Sequence, residues 1–385
     1  MNIRKWNKGV QRKIYKNWNE IQGILLRKYP DFIFSDRVND VIDIPAFVFH
    51  DVTNESLEPI LRFLAINQYA TLTADEYYER SSKREKGQER EVLLTFDDGD
   101  KSLYTVAYPA LKRYGFRAVA YIVPGMTPQG DGTGDSKVWE GSVCNWNEIR
   151  EMHESGTVDI QSHSMYHHSI SISSRVIDFV RPGMDLSSWE TDLLPLTQAG
   201  VRDSHDLPFG TPIYDWGPRL GEARGFRGHP SVAMACVEHV DRHGGAEYFR
   251  TRWWRRELQR LTAAARRGQP GTAFETEAEQ RSAILDDFTN SKAQIERRLP
   301  DTSVRHFCYP WFRGSVLAAT LSAEAGYVSN AWGSVLPRFA TSKLVPMPFA
   351  RFSPAYLWRL PGKGRKPIGA VIRGRLSPIA EDGSE

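Results

Sequence analysis

From residue 44 the chain alternates short apolar runs, each ending in polar residues, with amphipathic stretches, and this rhythm limits the fold more than any other feature. The run IPAFVFHD reads as a buried strand, and LEPILRFLAINQYATLTADEYYE as a helix, a turn and a second helix. EVLLTFDDGD (91–100) is a strand that ends in acids. SLYTVAYPALKRYG is a helix stopped at Gly115, RAVAYIVPG a third strand, and NWNEIREMHESG a helix with Asn145 as N-cap and Gly156 as C-cap. TVDIQSHS is a fourth strand, ending in His163. Strands alternating with helices predict a parallel α/β fold. The stretch 171–300 breaks the rhythm. PFGTPIYDWGP reads as a loop, and the segments around it read as helices, the last of them TEAEQRSAILDDFTNSKAQIERRLP. It is expected to be a large, mostly helical insertion. VRHFCYPW (304–311) and GYVSNAWG (326–333) resume the strand pattern, and the tail from 361 is basic and loop-like. The expected organisation is therefore a basic N-terminal helix over 1–40, the first part of the α/β core over 41–170, the insertion over 171–300, and the rest of the core with a basic tail over 301–385.

With 385 residues the chain can bury a large core, and 41% hydrophobic with 25% charged residues is ordinary for a globular protein. A net charge of +3 gives no argument for nucleic acid. Three scattered cysteines (Cys144, Cys236, Cys308) form neither a disulfide framework nor a CxxC pair, which argues against a thiolate zinc site. No apolar run of about 18 residues is present, and the basic N-terminus has no apolar segment behind it. These features lead to an expected cytoplasmic location, at or near a membrane surface. The first 30 residues hold eight basic residues and one acidic one, Glu20, with Trp6, Val10, Ile14, Trp18, Ile21 and Leu25 at spacings of four or three. This stripe has two readings. It is either an amphipathic helix on anionic lipid or a helix packed on the domain with a solvated basic face.

Three segments carry the chemistry. Asp97 and Asp98 end an apolar strand before a glycine, and the pleat sends neighbouring side chains in different directions. One carboxylate can bind a metal while the other stays free as a base. Taken alone, such a pair is as well explained by a turn or a helix cap. SHSMYHH (162–168) places His163 four residues before His167 and five before His168. Two histidines and a carboxylate make a three-ligand set with a coordination position left for water. FCYPWFRGS (307–315) places Pro310 and Trp311 just after a strand, where a backbone N–H can serve as an oxyanion donor. A core aromatic cluster would explain it equally.

LLTFDDGDKSLYTVAYPALKRYGFRAVAYIVPG followed by VDIQSHSMYHH resembles the polysaccharide deacetylase family, which shares the NodB homology domain. The resemblance covers 44–170 and 300–360 and leaves the insertion out. It implies a distorted (β/α) barrel with its site at the C-terminal ends of the strands. It also implies a divalent cation, zinc first, with cobalt, nickel or manganese as alternatives. By this resemblance Asp97 matches the base, and Asp98, His163 and His167 match the metal ligands. Tyr309, Pro310 and Trp311 match the motif whose backbone helps form the oxyanion hole and whose aromatic walls the groove. FVFHDV and LTADEYYE are most similar to the branch of exopolysaccharide poly-N-acetylglucosamine deacetylases. There the position of His50 is a candidate general acid, and a histidine spacing of five would make His168 the ligand in place of His167. Two departures stand out. The arginine that orients the base is missing from the third motif, with Cys308 near its position. No late Leu-x-His motif follows, and VPMPFARFSP, containing Arg351, occupies that region. The expected function is hydrolytic removal of acetyl from an N-acetylated, or O-acetylated, saccharide, polysaccharide or glycolipid. The alternative is a catalytically impaired carbohydrate-binding protein on the same fold.

Overall fold

A computed structural model describes residues 23, 28–35, 44–83, 90–131, 133, 136, 139–184, 191–192, 207–228, 230–267, 274–341 and 345–376. The apolar stripe from Trp6 to Leu25 lies outside the described residues, as does most of the 1–40 segment.

Along the chain, β1 (Ala46–Phe49) leads through the helix Asn54–Ile66 to the two-residue β2 (Ala70–Thr71), the helix Ala74–Lys83 and β3 (Glu91–Asp98). The helix Tyr108–Tyr114 then leads to β4 (Ala118–Ile122), and the helix Trp146–Glu154 to β5 (Val158–Ser162). Next come β6 (Ser169–Phe179), β7 (Thr191–Asp192) and β8 (Pro212–Pro218), and the helices Pro230–Arg242, Trp254–Arg266 and Glu277–Arg298. The chain ends with β9 (His306–Cys308), the helix Val316–Glu324, β10 (Ser329–Trp332), β11 (Met347–Phe352) and the helix Ile368–Leu376.

Every pairing among β1–β5 and β9–β11 is parallel. The order β1-β11-β10-β9-β5-β4-β3, with β1 also paired to β3, closes a seven-stranded barrel among the described residues, and β2 sits outside it against the start of β3. β3 reads as one long apolar run because both faces are covered: Val92, Leu93, Leu94 and Phe96 are all buried. Ala46, Leu93, Val119, Tyr121, Cys308, Ala331 and Phe349 form one core cluster, so most barrel strands contribute a residue to it. Side chains alternate along a strand. Thr95 and Asp97 therefore follow Leu93 toward the core, and Arg351 follows Phe349.

The chain divides into two compact units. The first comprises 1–166, 287–312 and 322–385, and the second comprises 167–286 and 313–321. The second unit contains a three-stranded sheet, β7-β6-β8, as well as helices. The PIYDWGP segment read as loop is therefore the strand β8, pairing antiparallel with β6. Its proline and glycine lower the intrinsic strand preference, and the sheet overrides them. The C-terminal half of the helix Glu277–Arg298 belongs with the barrel, because Phe288 packs against Phe307 and Tyr327. The tail read as loop carries the helix Ile368–Leu376.

Candidate active site

β3 ends with Thr95, Asp97 and Asp98, and Asp98 has a left-handed backbone (φ 66°), followed by Gly99 at φ 73°. Aspartate tolerates this conformation better than most residues. The two acids meet different surroundings. Asp97 is 1% exposed. Arg351 of β11 grips it with a fork, Nη1 donating to Oδ1 at 2.6 Å and Nη2 to Oδ2 at 2.7 Å. Nη1 also donates to the Thr95 hydroxyl (2.9 Å), which in turn donates to the Phe47 carbonyl (2.8 Å). Burial alone would push the Asp97 carboxyl up, but the Arg351 charge, with His163 and the Arg351 hydrogen bonds, holds it below the ordinary carboxylate value.

Cys308, fully buried at the end of β9, donates its thiol to Asp97 Oδ2 at 3.5 Å and receives Arg351 Nη2 at 2.8 Å. Burial pushes this thiol well above its usual value, so it stays protonated. The arginine missing from the third motif is thus supplied from another strand. The sequence shows Arg351 in the region of the late motif but not its pairing with Asp97. The available signal was a cation in the otherwise apolar PFARF segment, since a fully buried charge needs a partner.

His163 lies just past β5, 2% exposed, with Nδ1 2.9 Å from the Cys308 carbonyl. A carbonyl oxygen only accepts, so Nδ1 carries the proton. Nε2 then faces Asp98 Oδ1 at 3.2 Å. A lone pair and a carboxylate oxygen at that separation require a cation between them, either a second proton or a metal. Asp98, His163 and His167 each present a ligand atom within 4.8 Å of the others, a donor set that suits zinc and similar divalent ions. His168, the alternative, is not in this group. A second trio, Asp97, His163 and Cys308, also falls within 4.8 Å. There the Arg351 guanidinium already supplies the positive charge and the thiol is protonated, so it does not suit a cation.

Five of the six non-glycine residues with left-handed backbone among the described residues gather here: Asp98, Ser164, His167 (47°), Trp311 (50°) and Phe312 (57°), Gln68 being the sixth. Such conformations cluster at functional sites. The FCYPWFRGS segment corrects one expectation. Tyr309 is fully buried and stacks on Trp332 with centroids 4.1 Å apart, and its N–H donates to the Ala331 carbonyl (3.3 Å). Tyr309 therefore does not wall a groove, and its N–H is engaged in the strand ladder. Pro310 is buried and has no N–H, while Trp311 is 37% exposed. Phe312, which the motif did not single out, is 38% exposed and meets His50 edge-on at 6.4 Å. His50 itself follows β1 and is exposed.

Fold and site define a closed parallel (β/α) barrel with a carboxylate–histidine centre at the C-terminal strand ends. Residues 84–184 match the family model described as polysaccharide deacetylase. A poly-beta-1,6-N-acetyl-D-glucosamine N-deacetylase of Staphylococcus aureus (strain MRSA252) is 27% identical over 128 residues, 33% of this chain and 41% of that protein. The chain thus matches about two fifths of the length of the curated relatives. Among solved structures, a de-N-acetylase from Aggregatibacter actinomycetemcomitans superposes with a TM-score of 0.51 at 16% identity, covering 86% of this chain and 99% of that one. The deacetylase domain of BpsB from Bordetella bronchiseptica gives 0.51 and 16%, covering 82% and 99%. These two likenesses establish the shared barrel fold.

Proposed function

We propose that the protein is a metal-dependent hydrolase that removes acetyl from an N-acetylated saccharide, with Asp98, His163 and His167 holding the cation. The observation that carries this reading is the juxtaposition at one barrel end of two carboxylates with opposite roles. One is clamped and kept ionised by Arg351, and the other faces two histidines. A bound divalent ion, zinc first, would supply Lewis-acid polarisation of the acetyl carbonyl and lower the pKa of water. Asp97 takes a proton from the attacking water as general base. Arg351 keeps that carboxylate ionised and fixes its direction, replacing the arginine absent from the third motif. His50, exposed and edge-on to Phe312, would give a proton to the leaving amine. Trp311 and Phe312 offer exposed rings beside the site for a sugar face. The S. aureus relative's substrate, a polymer of N-acetylglucosamine, makes N-acetylated hexosamine polymers the first class to try. The binding-protein reading rests on the missing arginine and the missing late Leu-x-His motif, and the Arg351 fork on Asp97 answers the first of these.

The test is acetate release from a panel of N-acetylated and O-acetylated saccharides, with and without added Zn²⁺. Metal-dependent acetate release from an N-acetylated member is the expected result. Asp97→Asn should keep the bound metal and lose about 10²- to 10⁴-fold in turnover, the usual worth of a positioned base. Release that is indifferent to chelation, or a fully active Asp97→Asn, would overturn the reading.

A further inference from the structure

The turn that carries the histidines is strained and is held from outside. Ser164 (φ 70°) and His167 (φ 47°) are both left-handed and neither is glycine. Backbone of this kind is strained and persists only where the surroundings over-determine it. The surroundings can be named. Met165, between the two, donates its N–H to Asp287 Oδ1 at 3.0 Å. Its carbonyl accepts from the Gly125 N–H at 2.9 Å. Gly125 lies just beyond β4, and a Cβ added there would fall 2.5 Å from the Met165 oxygen and 2.5 Å from a ring carbon of Tyr166. No larger residue fits without moving the turn.

Asp287 is 6% exposed and belongs to the helix Glu277–Arg298. One helical turn further, the Ser291 hydroxyl bonds the Ser162 hydroxyl at 2.7 Å, both residues fully buried. The helix therefore grips the chain immediately before His163 and again two residues after it.

We infer that Asp287 and Gly125, supported by Ser291, are positioning residues for the cation centre. They hold the 163–167 turn in the strained shape that brings His167 to Asp98 and His163. The inference rests on the metal reading above. A carboxylate that merely stitched a helix to a loop would stabilise the fold and leave metal affinity untouched.

The experiment titrates Co²⁺ into the metal-free protein, following the dissociation constant and the visible absorption bands, with thermal unfolding alongside. The proteins are wild type, Asp287→Ala, Asp287→Asn and Gly125→Ala. Groups that orient metal ligands usually account for 10- to 100-fold in affinity, so Asp287→Ala and Gly125→Ala should weaken Co²⁺ binding by about that factor and alter the bands. Asp287→Asn retains an oxygen that accepts from the Met165 N–H and should recover most of the affinity. Folded variants that bind Co²⁺ with wild-type affinity and spectrum would overturn the inference, whatever their melting temperatures. If Asp287→Ala does not fold, Gly125→Ala decides on the same criterion. Wild type that binds no Co²⁺ would remove the metal reading and this inference together. Wild-type binding with unchanged variants would remove this inference alone.

Discussion

At the Asp97–Arg351 pair, two opposing effects of several kcal/mol meet. Burial works against both charges, and the fork works for them. Removing one partner leaves the other buried and uncompensated, which typically costs about 3–5 kcal/mol. Arg351→Met should therefore destabilise the protein by about that amount in urea denaturation. It should also let burial raise the Asp97 carboxyl, so that the acid limb of kcat/KM moves to higher pH. The sign follows from the native state. A carboxyl held below its ordinary value contributes stability above that value and loses it as the pH falls through the native one. In the variant the sign reverses: a carboxyl raised above its ordinary value by burial costs stability at neutral pH, and that cost is relieved as the pH falls through the raised value. Arg351→Lys restores a charge without the two-pronged geometry and should recover stability more than turnover. An unmoved acid limb in Arg351→Met would show that the guanidinium does not govern Asp97. This pair also marks where the sequence stops informing. Asp97 is legible because TFDDG is local. Its partner is 254 residues away on the neighbouring side of the barrel, and no local pattern pairs β3 with β11.

At the scale of elements, the barrel strands and the helices between them follow from apolar runs and caps. Asn145, for instance, accepts from the N–H groups of Asn147 and Glu148, and Glu148 reaches back to its N–H. The extra sheet of the second unit was not legible, because β6 (SISISSRVIDF) is broken by two irregularities in its pairing with β8 and its polar residues resemble a loop. The helix Glu277–Arg298 has a reciprocal start of its own. The Thr276 N–H donates to Glu279 Oε2 (2.7 Å), and the Glu279 N–H donates to the Thr276 hydroxyl (3.2 Å). The backbone bond from Thr276, then Arg227 and the Thr276 hydroxyl, lower the Glu279 carboxyl to about 2. This contribution is present above the ordinary value of 4.5 and fades as the pH falls toward 2, so the protection of first-turn amides relative to their intrinsic exchange rates should fall over that window. Thr276→Ala should cost about 1 kcal/mol and produce the same local fraying at neutral pH. Protection factors that do not change with pH or with Thr276→Ala would show the cap to be unimportant.

At the scale of the whole molecule, the described residues contain no helix long and apolar enough to cross a membrane. The lipid reading of the basic N-terminal stripe remains a proposal. The residues just after that stripe are part of the barrel unit. Tyr29, Phe32 and Ile33 are buried, Tyr29 packing against Phe352 and Tyr356. Arg359, 1% exposed, donates to the carbonyls of Ile33 (2.8 Å) and Lys366 (2.6 Å), tying this segment to the end of the barrel. Removing residues 1–27 and removing 1–35 should therefore differ sharply. The longer cut strips three buried side chains worth about 1.5–3 kcal/mol each, comparable to the stability of a typical domain. A melting temperature equal for the two truncations would show the 28–35 segment to be dispensable. Vesicle co-sedimentation of the shorter truncation separates the two readings of the stripe.

The arginine fork on Asp97 has a consequence for how the barrel comes into being. During synthesis the strand bearing the acids emerges early, and the guanidinium that neutralises Asp97 comes near the chain's end. Until β11 docks between β10 and β1, the carboxylate has to remain hydrated or take up a proton, so the closing of the ring and the settling of that charge are one event. Contacts so distant in sequence form late and slowly. A chain that has made the TFDDG strand and the histidine turn but not β11 leaves the Asp97 carboxylate without its counter-charge. The last barrel strand to be made thus completes the ring and the charge balance at Asp97 together.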